Sequence, residues 1–562
     1  MKPGKRARLS QPSPEVRSAK RAKYWYYGLI LLVILFFSLI RIRLRNMPLE
    51  RDEGEYAYAG QLILQGIPPY QLAYNMKLPG TFAAYAVILA VLGGTPSAIH
   101  LGLLVVNALT IFFLFLLVKR LAGSLAGLVA SATYALLSSS PAVLGLAGHA
   151  THFVVLFAVG GFVLLLKAIE ERRPSLLLCS GVSLGLAFLM KQPGMFFVLF
   201  AGLYVAKREW SRPLDWRGYM AWISLFLSGA LLPFALTCLI LFAAGVFKTF
   251  WFWTISYAWQ YASRLTLTEG LYLFRRITSR VIFSAPLIWM IALAGVIALV
   301  WRRDARAQLD FVAGFFFFSF LAVCPGLYFR QHYFILVLPA VALLAGIAIA
   351  SAQAGLGQIS PSRILSALPV VFFAGAFAWS IIGQRGFFFQ VDPSSAVELL
   401  YLGNPFVQAL PIADYLKSHT SPGAQIAVFG SEPEIFFYSG RHSATGYIYA
   451  YPVVEPHKYA FTMQKEMIGQ IEKAAPEFVV NVEVPLSWLA RPGSPQAAAF
   501  ISWADSYLNA RYTLVGIADM LSPGHTEYRW GDEAKHYRPR SRLVIQVFKE
   551  NLQTPPSAQR VN

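Results

Sequence analysis

Long apolar runs separated by short polar connectors make up the chain as far as about residue 383. Because a bilayer hydrocarbon core of about 30 Å needs about 20 apolar residues per helix, the pattern predicts about eleven membrane-spanning helices. Their windows are 24–42, 98–118, 122–142, 152–169, 175–190, 193–206, 219–246, 281–301, 309–327, 332–351 and 364–383. The apolar segment 79–94 is shorter and is broken by Gly93 and Gly94, which favours a re-entrant or interfacial helix.

Basic residues in the connectors predict which side of the membrane each connector faces. If segment 79–94 does not span, every basic connector falls on the same side as the N-terminus; if it spans, all of them move to the opposite side. These connectors contain Lys119-Arg120, Arg172-Arg173, Lys207-Arg208 and Arg302-Arg303. We therefore expect a multi-pass protein of the plasma (inner) membrane, with a cytoplasmic N-terminus and with residues 43–97 outside.

The two ends of the chain differ from the apolar part. Residues 1–23 are rich in Lys and Arg and contain one acid, Glu15, which predicts a disordered cytoplasmic tail near anionic lipid rather than a nucleic-acid binder. From residue 384, strand patterns at 425–429, 478–482 and 543–548 alternate with helical patterns at 406–418, 457–474 and 497–509. The predicted fold is mainly α, a transmembrane helical bundle over 24–383 followed by an extracytoplasmic α/β domain over 384–562.

Composition agrees with this class and excludes several chemistries. The chain is 56% hydrophobic and 15% aromatic, with a mean hydropathy of +0.52, as expected for a polytopic membrane protein rather than a soluble one. Cys179, Cys238 and Cys324 are far apart in apolar runs, so they offer no zinc spacing and no disulfide framework. The sequence contains no P-loop, no Rossmann glycine pattern and no Gly-x-Ser-x-Gly.

An acidic cluster, Asp52-Glu53-Gly54-Glu55, follows the first predicted span. One interpretation is a capping box, in which Asp52 is the N-cap of a helix and Glu55 is its N3 residue. The other makes Asp52 a general base that takes a proton from an acceptor hydroxyl, with Glu53 supporting it or binding a cation. Capping alone does not explain Glu53, and both interpretations stay open at this point.

Three cations lie at span ends on the predicted outer side, where the topological rule disfavours them. They are Lys77 before Pro79, Lys191 before Pro193, and Arg330. Lys77 alone could be an interfacial lysine that snorkels to the membrane surface. Three cations around one acidic loop instead predict a binding site for a lipid phosphate, because positive groups stabilise the charge that develops on a leaving phosphate.

Histidines supply the remaining polar candidates on that side. His149 and His152 are three residues apart and would share a helix face, while His332 and Tyr333 directly follow Arg330 and Gln331. We predict substrate binding for these four residues. A metal site is disfavoured because His149 and His152 have no evident third ligand, although a divalent cation stays an alternative.

The stretch Arg51–Gly80 and the later Lys191-Gln192-Pro193-Gly194 resemble the polytopic GT-C glycosyltransferases, in particular the bacterial members of the protein O-mannosyltransferase and aminoarabinose-transferase group. The resemblance covers roughly residues 24–350. It implies a sugar donor linked to polyprenyl phosphate, inversion at the anomeric carbon, and a catalytic acid in the first outer loop. Carried over to this chain, Asp52 is the base, and Lys77, Lys191 and Arg330 contact the donor phosphate.

One position departs from that family. Many relatives carry an acidic residue at the start of the fourth span, where this chain has Gly148-His149-Ala150-Thr151-His152. The departure leaves metal dependence undecided.

The predicted function is transfer of a sugar from a polyprenyl-phosphate donor to a hydroxyl of an acceptor protein, lipid or glycan at the outer face of the membrane. The alternative is a transporter or flippase of lipid-linked sugars without bond chemistry. It is disfavoured because polar candidate residues lie near only one membrane face, whereas transport needs access from both.

Overall fold

The computed structural model describes residues 14–211, 216–302, 306, 308–491 and 493–551. Helices fill its first part: α1 (Pro14–Arg43), α2 (Arg51–Leu64), α3 (Gly80–Leu92), α4 (Pro96–Leu137), α5 (Ala150–Glu171), α6 (Pro174–Met190), α7 (Met195–Trp210), α8 (Trp216–Ala243), α9 (Phe247–Trp251), α10 (Ala258–Ala262), α11 (Leu267–Phe283), α12 (Pro286–Trp301), α13 (Leu309–Val323), α14 (Leu338–Ile359) and α15 (Arg363–Gly383). Helix α1 begins inside the predicted tail. Residues 1–13 lie outside the described residues, so the disordered tail stays a prediction.

Helix α4 is a hairpin of two helical arms rather than one long rod. Gly123 breaks it with φ 88°, a backbone conformation that only glycine adopts without strain. The arms then run antiparallel: Ser131 Oγ donates to the Ile111 carbonyl at 3.1 Å, and Asn107 Nδ2 donates to Ser138 Oγ at 3.1 Å. The predicted windows 98–118 and 122–142 correspond to these two arms.

Helices are present in all eleven predicted windows, but length supports fewer crossings. Among the described residues, six helices are long and apolar enough to cross a membrane, or seven if α11 and α12, bent by 103°, form one span. Seven is fewer than the eleven predicted windows for two reasons. Helix α4 fills two windows but counts as one helix, and α6, α7 and α13 are too short to be included. The fold class is confirmed as a bundle of apolar helices, whereas the number of spans stays a prediction.

Helix α3 occupies the ambiguous segment. At about 1.5 Å per residue, its 13 residues reach about 20 Å, less than a bilayer core requires. It packs closely on α2, where a Cβ at Gly60 would lie 2.9 Å from the Ala86 nitrogen. Segment 79–94 is thus a short apolar helix beside α2.

The described residues between 393 and 551 contain eight helices and a mixed six-stranded sheet. The helices are α16 (Pro393–Leu400), α17 (Ala409–His419), α18 (Glu434–Ser439), α19 (Tyr451–Val454), α20 (Ala460–Ala474), α21 (Pro485–Trp488), α22 (Pro495–Arg511) and α23 (Asp532–His536). The strands are β1 (Gln425–Phe429), β2 (His442–Ser443), β3 (Phe478–Glu483), β4 (Tyr512–Ser522), β5 (His525–Trp530) and β6 (Val544–Glu550).

The sheet has the order β2-β1-β3-β6-β4-β5. Strand β1 pairs in parallel with β2 and β3, and the other pairs are antiparallel. The three predicted strands correspond to β1, β3 and β6, and the three predicted helices to α17, α20 and α22. Strands β2, β4 and β5 were not predicted from the sequence.

This C-terminal part, called the C-terminal domain below, contacts α2 and the segments on either side of it. Gly54 faces α18 so closely that a Cβ there would lie 2.6 Å from Glu434 Cβ. Tyr438 accepts a hydrogen bond from the Leu49 N–H at 2.7 Å, and the Tyr74 N–H donates to the Gly446 carbonyl at 2.6 Å. The acidic cluster therefore lies between the helical bundle and the C-terminal domain.

Candidate active site

The N-terminus of α2 presents Asp52 to the site. The N-cap is Glu50, which accepts from the Glu53 N–H, and the Glu53 side chain accepts from the Glu50 N–H in return. The capping box predicted for Asp52 and Glu55 is therefore wrong by two residues. Because Glu50 and Glu53 satisfy the helix end, the carboxylates of Asp52 and Glu55 are free for other partners.

Asp52 and Glu55 share the ammonium group of Lys77. Lys77 Nζ lies 2.8 Å from Asp52 Oδ1 and 2.6 Å from Glu55 Oε2. Glu55 is fully buried, whereas 25% of the Asp52 side chain is exposed. Asp52 is thus the member of this cluster that a substrate can reach.

The charges in the cluster follow from its burial and its partners. Burial alone would raise the pKa of Asp52, but Lys77, His149 and His332 hold it well below its usual range. Burial raises the pKa of Glu55 to about 7, although Lys77 opposes this rise. Asp52 is therefore ionised at neutral pH, while Glu55 titrates near it.

Glu53 lies behind the site rather than in it. Its side chain is 1% exposed, and its Oε1 accepts from the Gly148 N–H at 2.5 Å and approaches His100 Nε2 at 3.0 Å. These bonds tie α2 to the segment that precedes α5. The position is suited to holding His149 next to Asp52, and a direct catalytic role for Glu53 stays a prediction.

His149 and His332 stand beside the second oxygen of Asp52. Their rings stack with centroids 4.0 Å apart. His149 Nδ1 lies 3.7 Å and His332 Nε2 lies 4.0 Å from Asp52 Oδ2. Ligand atoms of the three residues all lie within 4.8 Å of one another, so the residues grouped with His149 are Asp52 and His332 and not His152.

Two further observations fit this group to a metal ion. His149 Nδ1 is buried and has no hydrogen-bond partner among the described residues. The other ring nitrogen, Nε2, lies 3.2 Å from the Tyr401 hydroxyl, the kind of outer contact that orients a ligating histidine. His152 is not a member of the group; it lies buried in the first turn of α5, and neither of its ring nitrogens has a partner among the described residues.

Lys191 and Arg330 complete the positive side of the site. Burial lowers the pKa of Lys191 to about 7; Lys77 and Arg330 add to this effect, whereas Asp52 opposes it. Lys191 Nζ lies 4.1 Å from the ring centre of Tyr333, and the exposed Arg330 lies 3.4 Å from the Tyr261 hydroxyl. Three cations and one accessible carboxylate therefore share one site.

Several residues of this site were not predicted from the sequence. Glu50 caps α2, and His100 binds Glu53. Tyr401 and Tyr449 come from the C-terminal domain and contact His149 and Glu55. His100, Tyr401 and Tyr449 carry no local signal, because their partners lie 47 to 394 positions away. Glu50 does carry one, since Glu50 and Glu53 have the three-residue spacing of a capping box.

The arrangement can accept a proton and stabilise negative charge side by side. Asp52 is ionised and accessible, as proton acceptance requires, and the cations can neutralise a phosphate.

Comparison with known proteins points to one class. Residues 77–240 match the family model described as dolichyl-phosphate-mannose-protein mannosyltransferase. A comparison with the curated proteins finds no match.

Solved structures share the fold. The fold is similar to that of ArnT from Cupriavidus metallidurans bound to undecaprenyl phosphate, with a TM-score of 0.54, 16% identity, and coverage of 93% of this chain and 98% of ArnT. It is also similar to the oligosaccharyltransferase AglB from Archaeoglobus fulgidus in complex with an inhibitory peptide and a dolichol-phosphate. That match has a TM-score of 0.53, 12% identity, and coverage of 91% of this chain and 75% of AglB. The chain is therefore a polytopic membrane protein with the GT-C fold, and its predicted resemblance to the protein mannosyltransferase and ArnT-like glycosyltransferases is confirmed.

Proposed function

We propose that this chain is an inverting glycosyltransferase that moves a sugar from a polyprenyl-phosphate donor to an acceptor hydroxyl at the outer face of the membrane. The acceptor is a protein, a lipid or a glycan. One observation carries the proposal: an accessible carboxylate, Asp52, lies within 2.8 Å of Lys77 and shares its site with Lys191 and Arg330. A base next to several cations is what attack on a sugar phosphate requires.

In the proposed reaction, Asp52 takes the proton of the acceptor hydroxyl. The hydroxyl oxygen forms a bond to the anomeric carbon from the face opposite the phosphate, and the bond between that carbon and the phosphate oxygen breaks. The leaving group is polyprenyl phosphate, whose new negative charge is stabilised by Lys77, Lys191 and Arg330.

Lys77 gives this reaction a means of activating its base. While Lys77 pairs with Asp52, the low pKa of Asp52 makes it a weak base. A donor phosphate would compete for the same ammonium group and so weaken its hold on Asp52. Asp52 would become more basic when the donor is bound, which couples deprotonation of the acceptor to the presence of the donor.

Asp52, His149 and His332 would hold a divalent cation, since imidazole and carboxylate ligands suit ions such as Mn²⁺ and Zn²⁺. Such an ion supplies Lewis-acid neutralisation of the phosphate charge. The two oxygens of Asp52 face different partners, Oδ1 towards Lys77 and Oδ2 towards the histidines. This division would leave the Lys77 pair in place.

The test is transfer by the purified full-length protein, using radiolabelled polyprenyl-phosphate sugars as donors and membrane extract as the acceptor source. We expect labelled product with the wild type and none with Asp52→Asn, which keeps the shape of the side chain but cannot accept the proton. The labelled product would also identify the acceptor.

A matched control removes a surface carboxylate instead. Asp532 is exposed and pairs with Lys535 at the surface of the C-terminal domain, so Asp532→Asn should transfer at the wild-type rate. Absence of transfer from every donor by folded wild type would contradict the proposed function. Activity of the Asp52→Asn variant would leave the proposed enzyme class intact but would refute the role of Asp52 as the general base. The transporter alternative gains no support from the described residues or from the comparisons.

A further inference from the structure

Tyr449 of the C-terminal domain contacts the charged cluster of the helical part. Its hydroxyl donates to Glu55 Oε2 at 2.8 Å and also lies 3.2 Å from the Arg51 carbonyl. Glu55 Oε2 is the same oxygen that accepts from Lys77. Glu55 Oε1 is buried and has no partner among the described residues. The orientation of this carboxylate therefore depends on two donors, Lys77 and Tyr449.

The protein holds Tyr449 firmly. The N–H of the next residue, Ala450, donates to the Gly430 carbonyl at 2.9 Å and to Ser431 Oγ at 3.0 Å, at the end of β1. Ser431 in turn accepts from Arg51 Nε at 2.5 Å through its carbonyl. The hydroxyl of Tyr449 is thus fixed against α2 by bonds on both sides of the interface, and little reorganisation is needed for it to bind Glu55.

We infer that Tyr449 is a positioning residue of the active site: its hydroxyl fixes Glu55, Glu55 fixes the Lys77 ammonium group, and Lys77 then stands correctly between Asp52 and the donor phosphate. The inference deepens the proposed glycosyltransferase function and rests on it. According to this inference, the C-terminal domain contributes a residue to the active site. Without Tyr449, the helical part would leave Glu55 with a single donor, Lys77.

Loss of the hydroxyl gives the test. In Tyr449→Phe the ring stays, but Glu55 loses a hydrogen bond to a charged group, an interaction that corresponds to a factor of about ten to a hundred. We expect kcat to fall by about that factor while the KM for the acceptor stays at its wild-type value, because Tyr449 contacts Glu55 and not the acceptor. The measurement is steady-state transfer by full-length protein.

Tyr447→Phe is the matched control, since Tyr447 lies two residues away and its hydroxyl donates to Glu466 at 2.8 Å, away from the cluster. It should keep wild-type kinetics. An equal loss of kcat in both variants would mean that the segment has only loosened, and would overturn the inference. Wild-type kcat in Tyr449→Phe would overturn it directly.

A double-mutant cycle separates positioning from general stability. If Tyr449 acts through Glu55, then Tyr449→Phe should cost less in a Glu55→Gln background than in the wild type, because contacting residues are not additive. Equal costs in both backgrounds would refute the relay. If Tyr449→Phe does not fold, Glu55→Gln carries the test alone, and full kcat in that variant would refute the relay. Absence of transfer by the wild type would instead remove the proposed function, and the relay with it.

Discussion

The site depends on how single side chains divide their contacts. Asp52 offers one oxygen to Lys77 and the other to the two histidines, and Glu55 offers one oxygen to both Lys77 and Tyr449. The site is therefore tuned by competition for shared groups, and a substrate that takes one partner changes the rest. The pH dependence expected from Lys191 and the metal requirement expected from Asp52, His149 and His332 both depend on this competition.

Lys191 should make donor binding depend on pH. Its pKa is lowered to about 7 in the free protein, and an anionic phosphate at the site would raise it. Affinity for the donor phosphodiester, whose charge is constant in this range, should be flat below about pH 7 and fall above it, by up to about tenfold per pH unit. Binding isotherms between about pH 6 and pH 9 would measure this.

Lys191→Arg supplies the control for that titration. Arginine stays charged throughout this range, so the fall in affinity above neutral pH should disappear while binding itself persists. A wild-type pH dependence that remains in Lys191→Arg would assign the titration to another group.

The metal group predicts a requirement for a divalent ion. Chelation should lower transfer, and Mn²⁺ or Zn²⁺ should restore it. His332→Ala, which removes one of three ligands, should weaken Mn²⁺ binding by at least about tenfold. His419 is an exposed histidine at the end of α17 and is not in the group. The variant His419→Ala should therefore bind the ion as the wild type does. Full activity of metal-free protein, checked by elemental analysis, would contradict this prediction.

At the scale of elements, α2 is held by contacts on several sides. Its N-terminus is capped internally by Glu50 and Glu53, α3 packs against it at Gly60, and α18 packs against it at Gly54. The position of Asp52 is therefore set by the capping of α2 and by the packing of neighbouring helices.

Gly54→Ala tests the contact between α2 and α18. The new Cβ would lie 2.6 Å from Glu434 Cβ and 2.7 Å from its nitrogen, so α18 must move. Overpacking of this kind costs about 1–3 kcal/mol, and the apparent melting temperature of the detergent-purified protein should fall together with activity. Gly28→Ala in α1, where a Cβ meets nothing within 4 Å, is the control and should melt as the wild type does. An unchanged melting temperature of Gly54→Ala would contradict this prediction and would show that α18 can move away from α2 at little cost in free energy.

At the scale of the whole molecule, the C-terminal domain and the acidic cluster should face one side of the membrane and the basic connectors the other. We propose that the first side is extracytoplasmic, because the positive charges of the connectors favour the cytoplasm. Both Arg173, between α5 and α6, and Lys473, in α20, are exposed.

Cysteine labelling checks this orientation. In a background with Cys179, Cys238 and Cys324 replaced by alanine, Lys473→Cys should react with a membrane-impermeant maleimide in intact cells. Arg173→Cys should react only after permeabilisation. The reverse pattern would invert the topology and place Asp52 in the cytoplasm.

Features fixed by the membrane or by short local patterns could be predicted from the sequence. The apolar windows became helices because the bilayer demands about 20 apolar residues per crossing. Strands β1, β3 and β6 have apolar, β-branched sequences that suit buried strands. By contrast, β4 contains Gly516, Ala518 and Asp519, which disfavour a strand, and it is stabilised by pairing with β5 and β6. The pairing with β6 joins distant parts of the chain and is invisible in the local pattern, whereas the Pro523-Gly524 turn between β4 and β5 is a local hairpin signal that the prediction did not use.

The candidate site divides in the same way. Asp52, Lys77 and Lys191 could be recognised in the sequence because charged residues at the ends of membrane spans are energetically costly and indicate a functional role. Only the tertiary structure decided that Glu50 rather than Asp52 caps α2, since both residues suit a helix N-terminus and distant partners choose between them. His332 and Tyr449 meet the cluster across 280 and 394 positions of the chain. Sequence alone therefore determined which residues need an explanation, and packing between distant elements determined which of them act together.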